Sequence, residues 1–231
     1  MMHVPNTGGP QAQPLTRTEW ADGQLRAAIL NGDVGPGDPL VISTLATQLG
    51  LSATPLREAL RNLAAEGLVV LHSHGKARVA EIDIHEAAEI YDMRLMLEPE
   101  ALARSVHNGD QQYRLRVEAA WDALLVARVA PASAHAAFHR ELLSACDSRW
   151  LQRMATMLAD RCGLMITAGV QSQSRSYNTA ERHRVLKDLA VAGNADGASA
   201  ELRRHLTGSI AYLSRLVSND LTPAAAPGPD H

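Results

Sequence analysis

Aromatic residues are scarce in this 231-residue chain, at 3% of the sequence with a single phenylalanine. A hydrophobic core must therefore be built mainly from leucine, alanine, valine and methionine, and the apolar share of 46% is large enough for one. Segments rich in alanine and leucine, with few β-branched runs, favour helices over strands. The length suits two domains.

Cysteines and long apolar runs are also rare. The two cysteines, Cys146 and Cys162, form no disulfide framework, which is typical of reduced thiols in a cytoplasm. The N terminus lacks the basic-then-apolar pattern of a secretion signal. No apolar run approaches the roughly 18 residues that a membrane-spanning helix needs. The sequence therefore predicts a cytoplasmic protein.

The most informative segment is 45–69, LATQLGLSATPLREALRNLAAEGLV. A short helix is expected to end at Gly50, and a second helix to open with Thr54 and Pro55 and to run to Glu66. Proline at the first helical position loses only a hydrogen bond that would be unmade there, and the threonine before it can cap the free amides. The pattern predicts two short helices joined by a tight turn.

Ser43 is expected to cap the first of these helices. The second helix has distinct faces. A helix-turn-helix whose second helix carries outward basic groups fits a DNA major groove. Three leucines share one face and three polar residues are left for another, namely Leu56, Leu60 and Leu63 against Arg57, Arg61 and Asn62.

A hairpin is predicted directly after the second helix. Residues 68–72 and 77–81 have strand composition, and the four residues between them have turn composition. Gly75 lets the tip approach a backbone closely. His74 and Lys76 would place donors near phosphate or the minor groove. A hairpin in this place is typical of a wing.

These residues resemble the winged-helix domain of the GntR family of bacterial transcription regulators, whose pattern is roughly S-R-T-P-[VL]-R-E-A-L-x-x-L-x-x-x-G-[LW]. The chain follows it from Ser52 to Leu68, except that Ala53 stands where the family usually has arginine. Operator affinity or sequence is therefore expected to differ from the common type. The resemblance implies DNA contacts from Ser52, Thr54, Arg57, His74, Gly75 and Lys76.

Charge gives this reading no support. Residues 15–80 hold six basic and six acidic side chains, whereas a DNA-binding domain is expected to be basic. DNA binding then requires that the charges be segregated and that a dimer add contacts. The alternative is a helix-turn-helix that never touches DNA, with Arg57 and Glu58 on a solvated surface.

The expected fold is mainly α, with an N-terminal winged helix-turn-helix and a small β-hairpin wing, followed by an all-helical bundle of about six helices. The predicted domains are 15–82 and 83–218, between disordered tails at 1–14 and 219–231. A first helix is predicted at 15–31. The bundle helices are predicted at 83–107, 111–129, 132–146, 149–170, 177–192 and 195–218.

The helical part resembles the FCD domain, the ligand-sensing module of the FadR-type branch of the GntR family, over residues of about 85–217. Each matching segment alone is weak, but their order and spacing behind a GntR-like winged helix are specific. The segments are YDMRLMLEPEALA (91–103), FHREL (138–142), ERHRVLKDLAVAGN (181–194) and LRRHL (202–206).

Two histidines of this part, His135 and His139, are four residues apart on one predicted helix, a spacing suited to metal chelation. In metal-binding FCD domains an aspartate and three histidines hold the ion. The resemblance places His139, His183 and His205 on the histidine positions and His135 on that of the aspartate. Because the change removes a carboxylate, we expect a divalent transition metal, most simply Zn or Ni, rather than Mg, Ca or Mn.

Two other readings of the cluster stay open. In the first, the four histidines are structural, within a sensor that needs no metal. In the second, they belong to a metalloenzyme, although the sequence shows no paired carboxylates or nucleophile elbow that would supply a base. We therefore expect no enzyme activity.

Arg94 is the candidate effector ligand. In many FCD regulators an arginine on the first helix of the domain holds the carboxylate of a small organic acid, and a guanidinium pairs with a carboxylate in bidentate fashion. The alternative is an ordinary surface pair with Glu98, four residues on. Arg161 has weaker grounds for the same role.

Together these features predict a ligand-responsive transcription regulator. A homodimer would read a near-palindromic operator in double-stranded DNA. A small carboxylate would reposition the first helix of the bundle. The sequence identifies neither the acid nor the direction of regulation.

Overall fold

The computed structural model describes residues 15–81, 83–127, 131–170 and 179–220. Within these ranges the chain is mainly helical, as predicted, with a single two-stranded antiparallel sheet. None of the described helices is long and apolar enough to cross a membrane. The elements are α1 (Arg17–Asn31), α2 (Ile42–Leu49), α3 (Ala53–Ala65), β1 (Val69–Leu71), β2 (Ala77–Val79), α4 (Ile84–Asn108), α5 (Gln111–Val126), α6 (Pro131–Leu142), α7 (Arg149–Val170), α8 (Thr179–Val191) and α9 (Ala195–Asp220).

Helix α1 packs along α3 and builds the core of the winged helix. It begins with a capping box, in which the Glu19 amide donates to Thr16 Oγ1 and the Thr16 amide donates to Glu19 Oε2. Its apolar face then meets the leucine face of α3, as the spacing of the leucines predicted. The fully buried members of this contact are Ala21, Ile29, Leu56 and Leu63.

Two predicted helix caps are wrong. Helix α2 begins at Ile42 after an extended Val41 and has no side-chain cap, so Ser43 lies inside the first turn. Helix α3 begins at Ala53 after an extended Ser52, which makes no capping bond either, and Thr54 is therefore the second helical residue. Pro55 becomes the third helical residue, where it still fits because the first four amides of a helix have no partner within it.

The wing is a short hairpin. Its register pairs Val69 with Val79 and Leu71 with Ala77, so both strands are shorter than predicted. They are shorter because the Leu68 amide donates back to α3 and the His72 amide closes the turn onto Lys76. The 3-10 turn between the strands ends on Gly75, whose φ of 72° is strained for any other residue.

The bundle helices surround α4, which lies between α7 and α9. Helix α6 ends at Leu142 instead of at 146, because the chain tightens there into turns such as the one from the Cys146 amide to the Leu143 carbonyl. Helix α9 runs to Asp220, past the predicted end at 218. The predicted tails at 1–14 and beyond 220, and the predicted helical residues 128–129 and 177–178, lie outside the described residues.

Helices α6 and α7 also contact the winged helix. Leu164 of α7 belongs to the winged-helix core, and its neighbour Gly163 leaves little room beside Leu30 of α1. The Ser133 amide of α6 donates to the Asn31 side chain at 2.9 Å. The hydrophobic core of the winged helix and that of the bundle are thus joined by contacts among α1, α6 and α7.

Candidate functional site

Four histidines meet inside the bundle. His135 and His139 extend from α6, His183 from α8 and His205 from α9. The Nε2 atom of His183 lies 2.8 Å from Nε2 of His135 and 3.1 Å from Nε2 of His139. One ring nitrogen from each of the four lies within 4.8 Å of the others. The structure therefore brings together all four residues singled out in the sequence.

The surrounding elements hold these rings in place. Helices α8 and α9 are joined by a turn at Gly193, whose φ of 74° reverses the chain so that His183 and His205 face each other at 4.6 Å between ring centroids. Phe138, fully buried, packs its ring 5.8 Å from His139 and 5.9 Å from His183. The cluster consequently has an apolar wall on one side.

Burial keeps His135, His139 and His205 neutral. Burial, followed by the neighbouring His183 and Arg94, lowers the pKa of His135 to about 3. Burial also lowers the pKa of His139 and His205 well below the usual value of an imidazole, and the neighbouring histidines add to this effect. A neutral imidazole offers a lone pair, which is the form that binds a metal.

The geometry fits a transition metal. Ligand nitrogens about 2.1 Å from one ion lie about 3.0 Å apart at right angles and about 3.4 Å apart at tetrahedral angles. The two distances from His183 Nε2, 2.8 and 3.1 Å, are near the shorter of these. The buried Nδ1 atom of His205 has no hydrogen-bond partner among the described residues, so this ring retains a nitrogen that a ligand would satisfy. Imidazole donors suit Zn, Ni, Cu and Fe.

Arg94 lies beside this cluster and is paired inside the protein. Its side chain is buried, donates from Nε to Glu98 Oε1 at 2.5 Å, and lies 5.0 Å from the centre of the Tyr91 ring. The predicted pair with Glu98 therefore exists, but its placement on the surface is wrong. Arg94 also lowers the pKa of His135, His139 and His205, so its charge acts on the cluster.

Arg161 contacts residues outside the histidine cluster. Its guanidinium donates to both carboxylate oxygens of Glu86, at 2.6 and 3.1 Å, and to the Glu81 carbonyl at 2.9 Å. It ties the end of the wing to α4 and is not brought to the histidines.

Five of the six residues expected to contact DNA are exposed. Ser52 directly before α3, Thr54 and Arg57 in its first half, and Gly75 and Lys76 at the tip of the wing are all exposed. The side chain of the sixth, His74, lies outside the described residues.

Three acidic side chains of the winged helix have partners. Glu19 caps α1, Glu58 accepts a hydrogen bond from Thr18, and Glu66 pairs with Arg26 near the end of α3. Arg57, by contrast, forms no ion pair with any described residue. Despite the equal count of basic and acidic residues, Arg57 is thus available to a phosphate or a base edge.

An ion-pair network that the sequence does not indicate joins the winged helix to the bundle. Arg26 of α1 donates to Asp160 of α7 at 2.7 Å, and Arg140 of α6 donates to the same carboxylate at 2.8 Å. Arg140 follows His139 directly in the FHREL segment, which is the only local signal. Its partners are too distant in sequence for any local pattern to pair them.

Comparisons with known families agree with this geometry. A model described as bacterial regulatory proteins, gntR family, matches residues 18–79, and the FCD domain model matches residues 89–208.

Three curated relatives match most of the chain. It is 30% identical over 201 residues, 82% of either chain, to the uncharacterized HTH-type transcriptional regulator BphR of Paraburkholderia xenovorans (strain LB400). It is 26% identical to the HTH-type transcriptional repressor GlaR of Escherichia coli (strain K12), covering 85% of this chain and 95% of GlaR. A probable D-xylose utilization operon transcriptional repressor of Paenarthrobacter nicotinovorans is 31% identical, with 86% and 89% covered.

Solved structures share the fold. E. coli McbR/YncC superposes with a TM-score of 0.73 at 22% identity, covering 87% of this chain and 99% of the other. A putative transcriptional regulator GntR from Rhodococcus sp. RHA1 gives 0.67 at 23% identity, covering 86% and 98%. At these identities the likeness concerns the fold alone.

Proposed function

The chain belongs to the GntR family of bacterial transcription regulators and carries an FCD domain behind its winged helix, and from this premise we propose that it is a metal-dependent sensor of a small carboxylate. The convergence of four histidines within 4.8 Å carries this proposal. The winged helix (15–82) binds operator DNA, and the bundle (83–218) binds the metal and the effector.

DNA binding rests on α3 and the wing. The first half of α3 enters the major groove with Thr54 and Arg57, and the wing tip brings Gly75 and Lys76 to the backbone. Ala53, only partly exposed at the start of α3, leaves a gap where the family usually has arginine. The expected consequence is a lower salt dependence, because one fewer cation meets phosphate.

In the bundle, His135, His139, His183 and His205 would hold a divalent transition metal, Zn or Ni by the chemistry of the donors. When bound, the ion would supply a positive charge in a buried place, to which an effector carboxylate is attracted.

The local charges make effector binding depend on the metal. Arg94 carries a positive charge, but Glu98 neutralises it through a direct buried pair. Without an ion, His135, His139 and His205 offer an anion no charge, because their pKa values are lowered. Arg94 would orient the carboxylate, and the effector is not expected to bind the metal-free protein tightly.

The signal reaches DNA through two connections. Helix α4 follows the wing and is tied to it by Arg161 and Glu86, while α6 carries His135 and touches α1 through Ser133. A ligand that binds two arrangements of these helices with different affinity shifts their populations. In a homodimer, this shift changes the separation of two recognition helices and hence the fit to a near-palindromic operator.

Repression is the proposed direction of regulation. GlaR and the Paenarthrobacter relative are both described as repressors. Effector binding would then release the operator. A metal-independent sensor, with the histidines structural, is the alternative.

Elemental analysis of the purified protein tests the metal. We expect about one transition metal per chain in the wild type and none in the variant His139→Ala/His205→Ala, since ligands lost from two helices leave a poor chelate. A chelator should lower the melting temperature of the wild type, because an ion bound only by the folded state stabilises it.

The exposed His107, at the end of α4, gives the matched control, His107→Ala, which should retain the metal. Metal-free wild type that neither takes up Zn or Ni nor changes its melting temperature on their addition would make the metal-independent sensor the better reading. Mobility shifts on DNA upstream of its own gene test operator binding separately.

A further inference from the structure

A cavity separate from the histidine cluster lies where the winged helix meets the bundle. It measures about 300 Å³, and none of the four histidines lines it. Arginines from three helices surround it, with Arg26 from α1, Arg140 from α6, and Arg149 and Arg153 from α7. Such a concentration of guanidinium groups in a concave place favours an anion.

Helix α7 forms one wall of this cavity. Residues 149, 152, 153 and 156 lie on one face of its first two turns, because they are three, four and seven positions apart. The side chains of Gln152 and Thr156 add neutral donors beside the two arginines. At the start of this 22-residue helix the Leu151 amide donates to Ser148 Oγ and the Gln152 amide to the Ser148 carbonyl, and the helix dipole there favours negative charge.

The protein satisfies only part of this positive charge. Arg26 is held by Asp22, Glu66 and Asp160, and Arg140 donates to Asp160 through Nη1 alone. The other two arginines form no ion pair with any residue that the structure describes. Four arginines near three carboxylates leave a net charge of +1. The exposed guanidinium groups of Arg149 and Arg153 are available to an anion, and that of Arg153 lies 5.7 Å from the centre of the Trp150 ring.

We propose that this cavity binds a small polyanion of the phosphate class, held by Arg140, Arg149 and Arg153. A guanidinium pairs with two phosphate oxygens at once, so three of them suit a group with several anionic oxygens. The volume lies at the lower end of that of small-ligand pockets, which fits a phosphate ester or a diphosphate.

DNA phosphate is the less suitable occupant. Glu66, which lines the cavity, follows the last residue of α3, whereas Ser52 and Thr54 lie at its first turn. A helix of 13 residues is about 20 Å long. The cavity is therefore at the end of the recognition helix that faces away from the proposed DNA contacts.

A bound polyanion would affect the junction. It competes with Asp160 for Arg140, and Asp160 is the group through which Arg140 is linked to Arg26 of the winged helix. Anion binding and DNA binding are then coupled, and the coupling acts in both directions.

Isothermal titration of the full chain with inorganic phosphate and with pyrophosphate, at ionic strength held constant with sodium chloride, tests the site. We expect saturable binding at about one per chain, tighter for pyrophosphate. The variant Arg149→Gln/Arg153→Gln should weaken it by about tenfold or more. Arg114→Gln, which removes an exposed charge from α5, should leave it within about twofold.

The side chains of Arg149 and Arg153 are exposed, so the double variant should have the same melting temperature as the wild type. Three results would overturn the proposal. The first is a wild type that shows no saturable binding. The second is a double variant that binds phosphate as tightly as the wild type, which would place the anion elsewhere, for example on an ion at the histidines. The third is a double variant that loses affinity for DNA in phosphate-free buffer while the wild type binds no anion, which would make the arginine cluster a DNA contact.

Discussion

By the resemblance to metal-binding FCD domains, His135 takes the position of an aspartate, and its Nε2 lies 2.8 Å from that of His183. A neutral imidazole in this position leaves a divalent ion with its whole charge, whereas a carboxylate would cancel part of it. An effector carboxylate then becomes the only negative ligand that the proposed site would receive. The exchange of one residue therefore increases the dependence of effector binding on charge.

Arg57 is the residue on which proposed operator specificity depends most. We expect Arg57→Ala to weaken binding to specific DNA by ~1–3 kcal/mol, because an arginine in the major groove can pair with a base edge. Mobility shifts on the upstream DNA measure the change. Arg61→Ala, one turn further along the exposed face of α3, is the matched control and should cost less. Equal affinity of the Arg57 variant and the wild type, for specific and random DNA alike, would remove Arg57 from the interface.

Among the elements, α6 has two roles. Its inner face carries His135 and His139, while Ser133 and Arg140 connect it to α1, one directly and one through Asp160. A shift of this helix on the proposed metal or effector binding would consequently change its contacts with the winged helix.

Asp160→Asn tests the connection among α1, α6 and α7. The variant keeps the shape of the side chain but leaves Arg26 and Arg140 without their shared, buried carboxylate. We expect a loss of about 2 kcal/mol in the free energy of unfolding, less than for a fully buried pair because Arg140 is partly exposed. Urea unfolding measures it. Asp147→Asn, which breaks an exposed pair with Arg104, should change stability by less than about 0.5 kcal/mol. Equal stability of the two variants would show that Asp160 does not hold the junction.

The elements also show what the sequence could predict. Apolar periodicity placed the helices and the wing, and the spacing of His135 and His139 placed half of the cluster, because both are local patterns. The caps of α2 and α3 were wrong, since Ser43, Thr54 and their neighbours are all acceptable near a helix start and the first turn is settled by packing. Arg26 and Asp160 are 134 residues apart, and only the tertiary fold brings them together.

At the scale of the whole molecule, the buried histidines make stability depend on pH. The folded state of the metal-free protein holds the pKa of His135 at about 3 and those of His139 and His205 well below normal. The unfolded chain takes up protons near pH ~6.5. Between these values the unfolded state binds more protons, so stability is complete above ~6.5 and is lost as the pH falls.

We expect the free energy of unfolding of chelator-treated protein to fall by about 1.4 kcal/mol per pH unit for each such histidine. Urea unfolding at several pH values between about 7 and 5 measures the slope. His135→Gln should make the slope shallower, and His107→Ala, at an exposed position, should not. A slope that is the same in all three proteins would mean that His135 is protonated as readily in the folded state as in the unfolded one.

The aromatic side of the cluster has an optical consequence. The Trp121 ring lies 5.8 Å from that of Phe138, which packs in turn against His139 and His183. An ion with unpaired d electrons, such as Ni²⁺ or Cu²⁺, would quench the fluorescence of a tryptophan this near, whereas Zn²⁺ has a filled d shell and would leave it bright. Trp20 and Trp150 are exposed and can be replaced by phenylalanine. The emission of Trp121 would then distinguish an ion with unpaired d electrons from one with a filled d shell at the proposed site.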